Sequence, residues 1–304
     1  MDFSVLISVY ENDNKEHFKK ALESVINQTL KPSEIVLVID GPVDESINTV
    51  VSEFQKDYAD LFKVIIIKEN KGLGNALKTG LKECSYELVA RMDADDISLP
   101  HRFERQVKFL EKNREIDLVG SYIAEFEEDE NNIYAVRCLP SCPEKISNFA
   151  KWRSPVNHMS IMFRKNMVLD AGNYKTFLGF EDYYLWARML NNGCKFANID
   201  EILVNVRAGR DMIKRRAGQR YLINEIKLQL EFFKIGFIGK SKFVRNVSLK
   251  VLLRIIPSFL REFIYQKFLR KPVNSNIESQ GKFLINIVNC KNEYMKKQES
   301  KVNN

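Results

Sequence analysis

Three carboxylates within four residues, Asp93, Asp95 and Asp96, follow the apolar run Leu88-Val-Ala90 and Arg91-Met92. Side chains two apart on a strand share a face, so Asp93 and Asp95 can converge while Ala94 turns away. Crowded carboxylates repel one another unless a cation sits among them. Hard oxygen donors of this kind suit Mg²⁺ or Mn²⁺, which complete their shells with water and substrate phosphates. A lone Asp-x-Asp is ordinarily a solvated acidic turn or a helix cap; the neighbouring strand ends argue for chemistry instead.

Those ends come from an alternating pattern. Phe3–Val9, Ile35–Ile39, Val64–Ile67 and the run before Asp93 read as buried strands. Helical spacing between them predicts helices over about 17–27, 47–58 and 73–84, and Leu99-Pro-His-Arg-Phe103 opens another. Strands alternating with helices of this length imply an α/β fold with a doubly wound, mainly parallel sheet. Ligands bind such sheets at the carboxyl ends of the strands. Ser8-Val9-Tyr10-Glu11, Asp40-Gly41, Asn70-Lys71-Gly72 and the aspartate cluster would therefore share one rim. Asp40 could accept from a uracil N–H or a ribose hydroxyl, or simply form a turn; Tyr10 could stack on a base or be a half-buried structural tyrosine. The glycines at 72 and 74 do not make a dinucleotide fingerprint, because Tyr10-Glu11-Asn12 stands where it should follow the first strand.

Composition narrows the classes. The 304 residues suffice for one large domain or a domain with an appendage, and five scattered cysteines suggest reduced thiols rather than a zinc site. Met1-Asp-Phe-Ser leads straight into a strand with no basic leader, so a cytoplasmic protein is expected. The net charge of +7 hides a polarity: residues 207–304 hold 22 Lys and Arg against 7 Asp and Glu, while 1–206 hold 25 against 33. A basic half suggests an anionic partner. No nucleic-acid motif accompanies the charge, which favours a membrane surface.

Leu6-Ile-Ser-Val-Tyr10, Asp40-Gly41, Asn70-Lys-Gly72, Arg91-Met-Asp-Ala-Asp-Asp96, Pro100-x-Arg102 and Gly179-Phe-Glu-Asp182 occur in the order and spacing of glycosyltransferase family 2. Over roughly residues 1–210 the chain resembles bacterial enzymes that build capsule, exopolysaccharide or O-antigen. The resemblance implies a GT-A fold, a UDP-sugar donor, Mn²⁺ or Mg²⁺, and inversion at the anomeric centre. By the same resemblance Ser8, Val9, Tyr10, Glu11 and Asp40 hold the uridine, Lys71, Gly72, Arg91 and Asp93 face the donor, and Asp95 ligates the metal. Asp182 corresponds to the general base, with Glu181 orienting substrate or base. Many relatives read Ala-Arg-Asn after the Asn-x-Gly site; Ala76-Leu77-Lys78 stands here, so that arginine contact does not carry over.

Other residues keep two readings. His158, in Asn157-His-Met-Ser160, could reach the metal or substrate, or be a satisfied structural histidine. Trp152 could frame a sugar, and Trp186 belongs more naturally to the core of the helix after Asp182. Arg207 and Arg210, flanking Ala208-Gly209, could close over the diphosphate or form a solvated basic helix. The division expected is a glycosyltransferase domain over 1–210 (nucleotide-sugar half 1–115, acceptor half 116–210), a basic amphipathic helical region over 211–272 and a polar tail over 273–304. From Lys240 to Lys271 nine basic residues face one acid, with apolar residues interleaved and no run long enough to cross a bilayer. Two helices meeting at Pro257 could lie on the inner face of the cell membrane, near a polyprenyl-diphosphate-linked saccharide acceptor, or pack on the catalytic domain. Competing functions are a non-catalytic sugar-nucleotide-binding or scaffold protein and a sugar-nucleotide pyrophosphorylase; the latter lacks its Gly-rich loop after the first strand.

Overall fold

The computed structural model describes residues 1–208, 219–255 and 271–272. The first half alternates β1 (Phe3–Val9), α1 (Lys15–Ile26), β2 (Glu34–Asp40), α2 (Glu45–Asp57), β3 (Phe62–Ile67), α3 (Leu73–Glu83) and β4 (Leu88–Met92). β1, β2 and β4 are buried along nearly their whole length, so these runs are mainly apolar instead of alternating. β1 pairs in parallel with β2 and β4, and β2 with β3, so four strand ends lie on one rim. α1 starts where Asn14 caps it, its Oδ1 accepting from the N–H groups of Glu16 and His17. Its face of Phe18, Ala21, Leu22 and Val25 is buried in the core formed by β1, β2 and β4.

The second half is built differently. It contains β5 (Ile97–Ser98), α4 (Arg102–Lys112), β6 (Leu118–Phe126), β7 (Ala135–Arg137), α5 (Pro143–Phe149), a 3-10 turn His158–Ser160, β8 (Met162–Arg164), α6 (Lys165–Asp170), α7 (Glu181–Asn191) and β9 (Phe196–Arg207). β8 runs antiparallel between β4 and β6, β7 runs antiparallel to β6, and β9 pairs in parallel with β6 and antiparallel with β5. The sheet is thus mixed, parallel on one side and largely antiparallel on the other. The apolar run Met159–Phe163 is split between the 3-10 turn and the three-residue β8. β9, with twelve residues the longest described strand, escaped sequence patterning: Asp200-Glu201 interrupts it, and its register with β6 shifts around Tyr122.

α8 (Gln219–Lys234) and α9 (Lys240–Ile255) follow, and β10 (Lys271–Pro272) pairs with β7. Leu228 and Phe232 of α8 pack with Ala150, Phe180, Tyr183 and Ala187, joining the helix pair to the domain. Asn246 of α9 donates to the Lys151 carbonyl at 2.8 Å. The basic region therefore packs one side on the domain; Pro257, Arg210, the cluster Lys214–Arg216 and the tail over 273–304 lie outside the described residues.

Candidate active site

β4 stops at Met92, and the chain then turns so that Asp93, Asp95 and Asp96 each bring a carboxylate oxygen within 4.8 Å of the others. Strand alternation therefore does not govern this segment, and all three carboxylates converge, where the spacing argument joined only two. Asp96 is almost fully buried; its Oδ1 accepts from the Arg207 backbone N–H at 2.9 Å, while Oδ2 has no hydrogen-bond partner among the described residues. Burial and the neighbouring Asp93 charge push Asp95 up to about 6, and the same causes push Asp96 well above the usual carboxylate range. A cluster held in this costly state, with a buried lone oxygen, is a fitting donor set for a hard divalent cation.

Two buried arginines lie beneath it. Arg91 is enclosed and ion-paired to Asp93. Burial opposes its charge, but Asp93 more than offsets this and holds the pKa above the ordinary arginine value. Arg91 is therefore placed to orient Asp93 from below. Arg102, from the Pro100-x-Arg102 motif, is fully buried at the start of α4. Its guanidinium donates to the carbonyls of Arg91 (2.6 Å) and Ile161 (3.3 Å) and to Gln106, pinning β4 to the chain before β8. Burial and the nearby Arg91 lower it to about 9.

The other strand ends close round the cluster. Ser8 and Tyr10 are half-buried, Val9 is buried and Glu11 is exposed. Asp40 is buried, with Oδ1 accepting from the Lys71 backbone N–H at 3.0 Å, so it ties the end of β2 to the loop before α3. Lys71 itself is exposed, and Gly72 takes φ +82° as the cap residue of α3. Sequence reasoning missed Asp13. Its Oδ2 accepts from the Tyr10 N–H at 2.9 Å, and burial with the facing Asp95 and Asp93 pushes it up to about 7. An Asp four residues beyond a strand end, turned back on its own backbone, was the available signal.

Across the rim, α7 opens with Glu181 and Asp182, both half-buried. Gly74, in the first turn of α3, lets Glu181 approach: a Cβ there would stand 2.8 Å from the Glu181 Cγ. Burial and the adjacent Asp182 raise Glu181 above the usual range. Burial, with the charges of Asp182 and Asp93 and against that of Arg91, holds the buried Tyr174 hydroxyl above the usual tyrosine range. Its oxygen lies 3.1 Å from His158 Nε2, and the His158 ring also packs against Trp186. Burial and Arg91 push the imidazole well below its ordinary pKa. His158 is thus a neutral wall residue beside Arg91, outside the carboxylate cluster that could hold a metal. Trp186 is fully buried core, whereas Trp152 is 50% exposed and touches Phe149 edge-on. Arg207 is held at the end of β9 by the carbonyls of Glu127 and Glu128, with its guanidinium 4.6 Å from the Phe126 ring centroid. In this position its backbone N–H braces Asp96, and its charge acts on Asp95.

Comparison with known proteins fits this geometry. The chain is 40% identical over 270 residues to the amylovoran biosynthesis glycosyltransferase AmsE of Erwinia amylovora, covering 87% of this chain and 98% of that protein. It is 35% identical over 269 residues to an Escherichia coli UDP-Gal:alpha-D-GlcNAc-diphosphoundecaprenol beta-1,3-galactosyltransferase, covering 88% and 97%. The fold matches S. aureus TarS 1-349 in complex with UDP-GlcNAc with a TM-score of 0.61 at 17% identity, over 93% of this chain and 78% of that one. This is the GT-A fold. The family model for glycosyl transferase family 2 matches residues 4–175, and the chain is a glycosyltransferase belonging to that family.

Proposed function

We propose that the protein transfers a sugar from a UDP-sugar, with inversion and with the help of a divalent cation, to a lipid-linked saccharide during bacterial surface-polysaccharide synthesis. The observation that carries this reading is the convergence of three aspartate carboxylates at the carboxyl end of β4, with Glu181 of α7 packed against Gly74 at the start of α3. The two galactosyl- and amylovoran-type relatives support the donor and the polysaccharide context, and the first of them names a diphosphoundecaprenol acceptor.

In this reading Ser8–Glu11 and Asp40 line the uridine, with Asp40 also fixing the Lys71-Gly72 loop. Asp93, Asp95 and Asp96 would hold Mn²⁺ or Mg²⁺, which when bound neutralises the diphosphate of the leaving group. Arg91 keeps Asp93 aimed at the rim, and Arg207 does the same for Asp96 through its N–H. Asp182 takes the proton from the acceptor hydroxyl as that oxygen bonds to the anomeric carbon and the bond to UDP breaks. Attack from the face opposite the leaving group inverts the centre. Glu181, raised in pKa, orients the acceptor or Asp182; Trp152, exposed three residues beyond α5, would frame a sugar ring. A lipid-linked acceptor would bring the enzyme to the inner membrane surface, and no described helix is long and apolar enough to cross it.

The test is calorimetric: UDP, GDP and NAD⁺, each with and without Mn²⁺. UDP binding that requires the metal supports the donor site. Preference for GDP would overturn the uridine assignment, and binding of NAD⁺ alone would overturn the transferase reading of the rim.

A further inference from the structure

α8 and α9 form an antiparallel pair. Glu225 meets Lys250, Gln229 accepts from Asn246 at 2.9 Å, and Phe233 packs on Phe243 with ring centroids 5.5 Å apart. Their inner sides are accounted for by these contacts and by the cluster round Phe232. Their solvent sides carry an unusual mixture. Ile223, Lys227 and Leu230 recur at helical spacing along one exposed face of α8, and Leu249 and Leu252 are half or more exposed on α9.

The charge on this pair is one-sided. Residues 219–255 contain eight Lys and Arg and two acids. Both acids are already engaged, Glu225 by Lys250 and Glu231 by Lys234 and Tyr184. Lys227, Lys240 and Lys242 have no carboxylate partner among the described residues. Protein–protein interface cores are depleted in lysine. Lysines flanking exposed aliphatic side chains suit anionic head groups with acyl chains just below them.

Position ties the patch to the site. Tyr221 lies against Phe180, with ring centroids 4.8 Å apart, and Asn224 Nδ2 donates to the Leu178 carbonyl. Leu178, 72% exposed, sits three residues before Glu181 and four before Asp182. The start of α8 is therefore packed against the turn that presents the candidate base, and the exposed apolar run begins at the mouth of the site.

We infer that the solvent faces of α8 and α9, with Leu178 at their edge, dock the enzyme on an anionic phospholipid bilayer and so bring the Asp182 side of the site to a membrane-borne acceptor. This rests on the reading of a lipid-linked acceptor given above. It adds the surface, its lipid chemistry and the edge of the site that faces the membrane.

The experiment is co-sedimentation of the full chain with phosphatidylcholine vesicles, with and without phosphatidylglycerol. Three proteins are compared: the native chain, K227Q/K240Q/K242Q, and I223S/L230S/L249S/L252S. Native protein should pellet only with the anionic vesicles and be released by salt. Each lysine near such a surface is worth a factor of about five, so the triple variant should partition roughly a hundredfold more weakly. The serine variant should also lose binding, and both should keep native UDP affinity in Mn²⁺, which shows that they are folded. Transfer to a vesicle-embedded saccharide diphospholipid should fall in both, while transfer to a short-chain, water-soluble diphosphate analogue should not. Failure of the native chain to pellet, or unchanged pelleting of both variants, would overturn the docking surface even if the soluble analogue is glycosylated. Native pelleting without transfer to either diphosphate acceptor would instead overturn the acceptor reading. A dimer dissolved by the serine substitutions, with no vesicle binding, would assign the face to a second copy of the chain and overturn the inference.

Discussion

The two sides of the rim place their functional groups by different physical means. On the β1–β4 side, parallel ladders fix where each strand ends, and the groups follow within a few residues of that end. Asp40 is the last residue of β2, and Asp93 the first after β4. On the β6–β9 side, position depends on long-range side-chain contacts. Arg102 holds two carbonyls from different segments, Tyr174 meets His158, and Glu181 nests against Gly74. The first construction separates binding chemistry from stability; the second couples them. Substitutions on the two sides should therefore differ in what they cost.

The largest effect is expected on the first side. Asp95→Ala should lower turnover by about a thousandfold, since it removes a charge that developing negative charge relies on. It should also abolish metal-dependent UDP binding while leaving the melting temperature unchanged or higher, because a crowded, half-buried carboxylate has been removed. Metal-linked UDP affinity equal to the native value would remove Asp95 from its assigned role. Next comes Asp182→Asn, which should keep UDP-sugar affinity and cut transfer by roughly a hundredfold or more. A variant that loses donor affinity and not transfer would show that Asp182 is a donor-binding residue.

These two aspartates also mark what could be read without coordinates. Buried parallel strands are apolar from end to end, so their ends, and the polar residues just past them, stand out in the chain. Asp40, Asp93 and Asp95 were legible for that reason, and so were the helices whose apolar faces cover the sheet. Asp96 was not, because alternation assigns neighbours to opposite faces and the chain has already left strand geometry at Met92. Asp13 was hidden by its surroundings, since Asn12-Asp-Asn14 reads as a helix cap, and Asn14 does cap α1. β9 and the tie between Arg102 and Ile161 depend on contacts across 59 residues or more of sequence, or on a bulged register, and Tyr174 on a partner 16 residues away; no local pattern encodes these.

Arg102 tests the coupled side. Arg102→Leu keeps much of the volume and removes the guanidinium that donates to the Arg91 and Ile161 carbonyls and to Gln106; the Ile161 carbonyl keeps its bond from the Arg91 N–H. A loss of about 3 kcal/mol is expected from removing this buried, charged donor. Because one of those carbonyls belongs to the residue that orients Asp93, donor affinity should weaken as well. Urea unfolding and UDP titration measure the two effects. A drop in stability with native UDP affinity would separate the buried arginine floor from the site above it.

Two glycines of α3 give the smallest effects and the finest distinction. Gly80 faces the sheet: an added Cβ would stand 2.5 Å from Leu6 Cδ1 and 2.6 Å from Val38 Cγ2. Gly74, less than two turns earlier, faces Glu181 Cγ at 2.8 Å and the Lys175 carbonyl at 3.1 Å. Each alanine should cost about 1–3 kcal/mol of overpacking, partly offset by alanine's better helix propensity. Their kinetics should diverge. Gly80→Ala pushes on core side chains that touch no substrate, so the folded enzyme should keep native kcat and KM. Gly74→Ala must displace Glu181 and with it the first turn of α7, so kcat should fall roughly tenfold, the scale of a small misplacement of a catalytic group. Donor affinity should hold, because Asp40 and the Asp93–Asp96 cluster are fixed from the sheet. Equal kinetics for the two variants would mean that the α3–α7 contact is packing alone and that the two sides of the rim are less coupled than their geometry indicates.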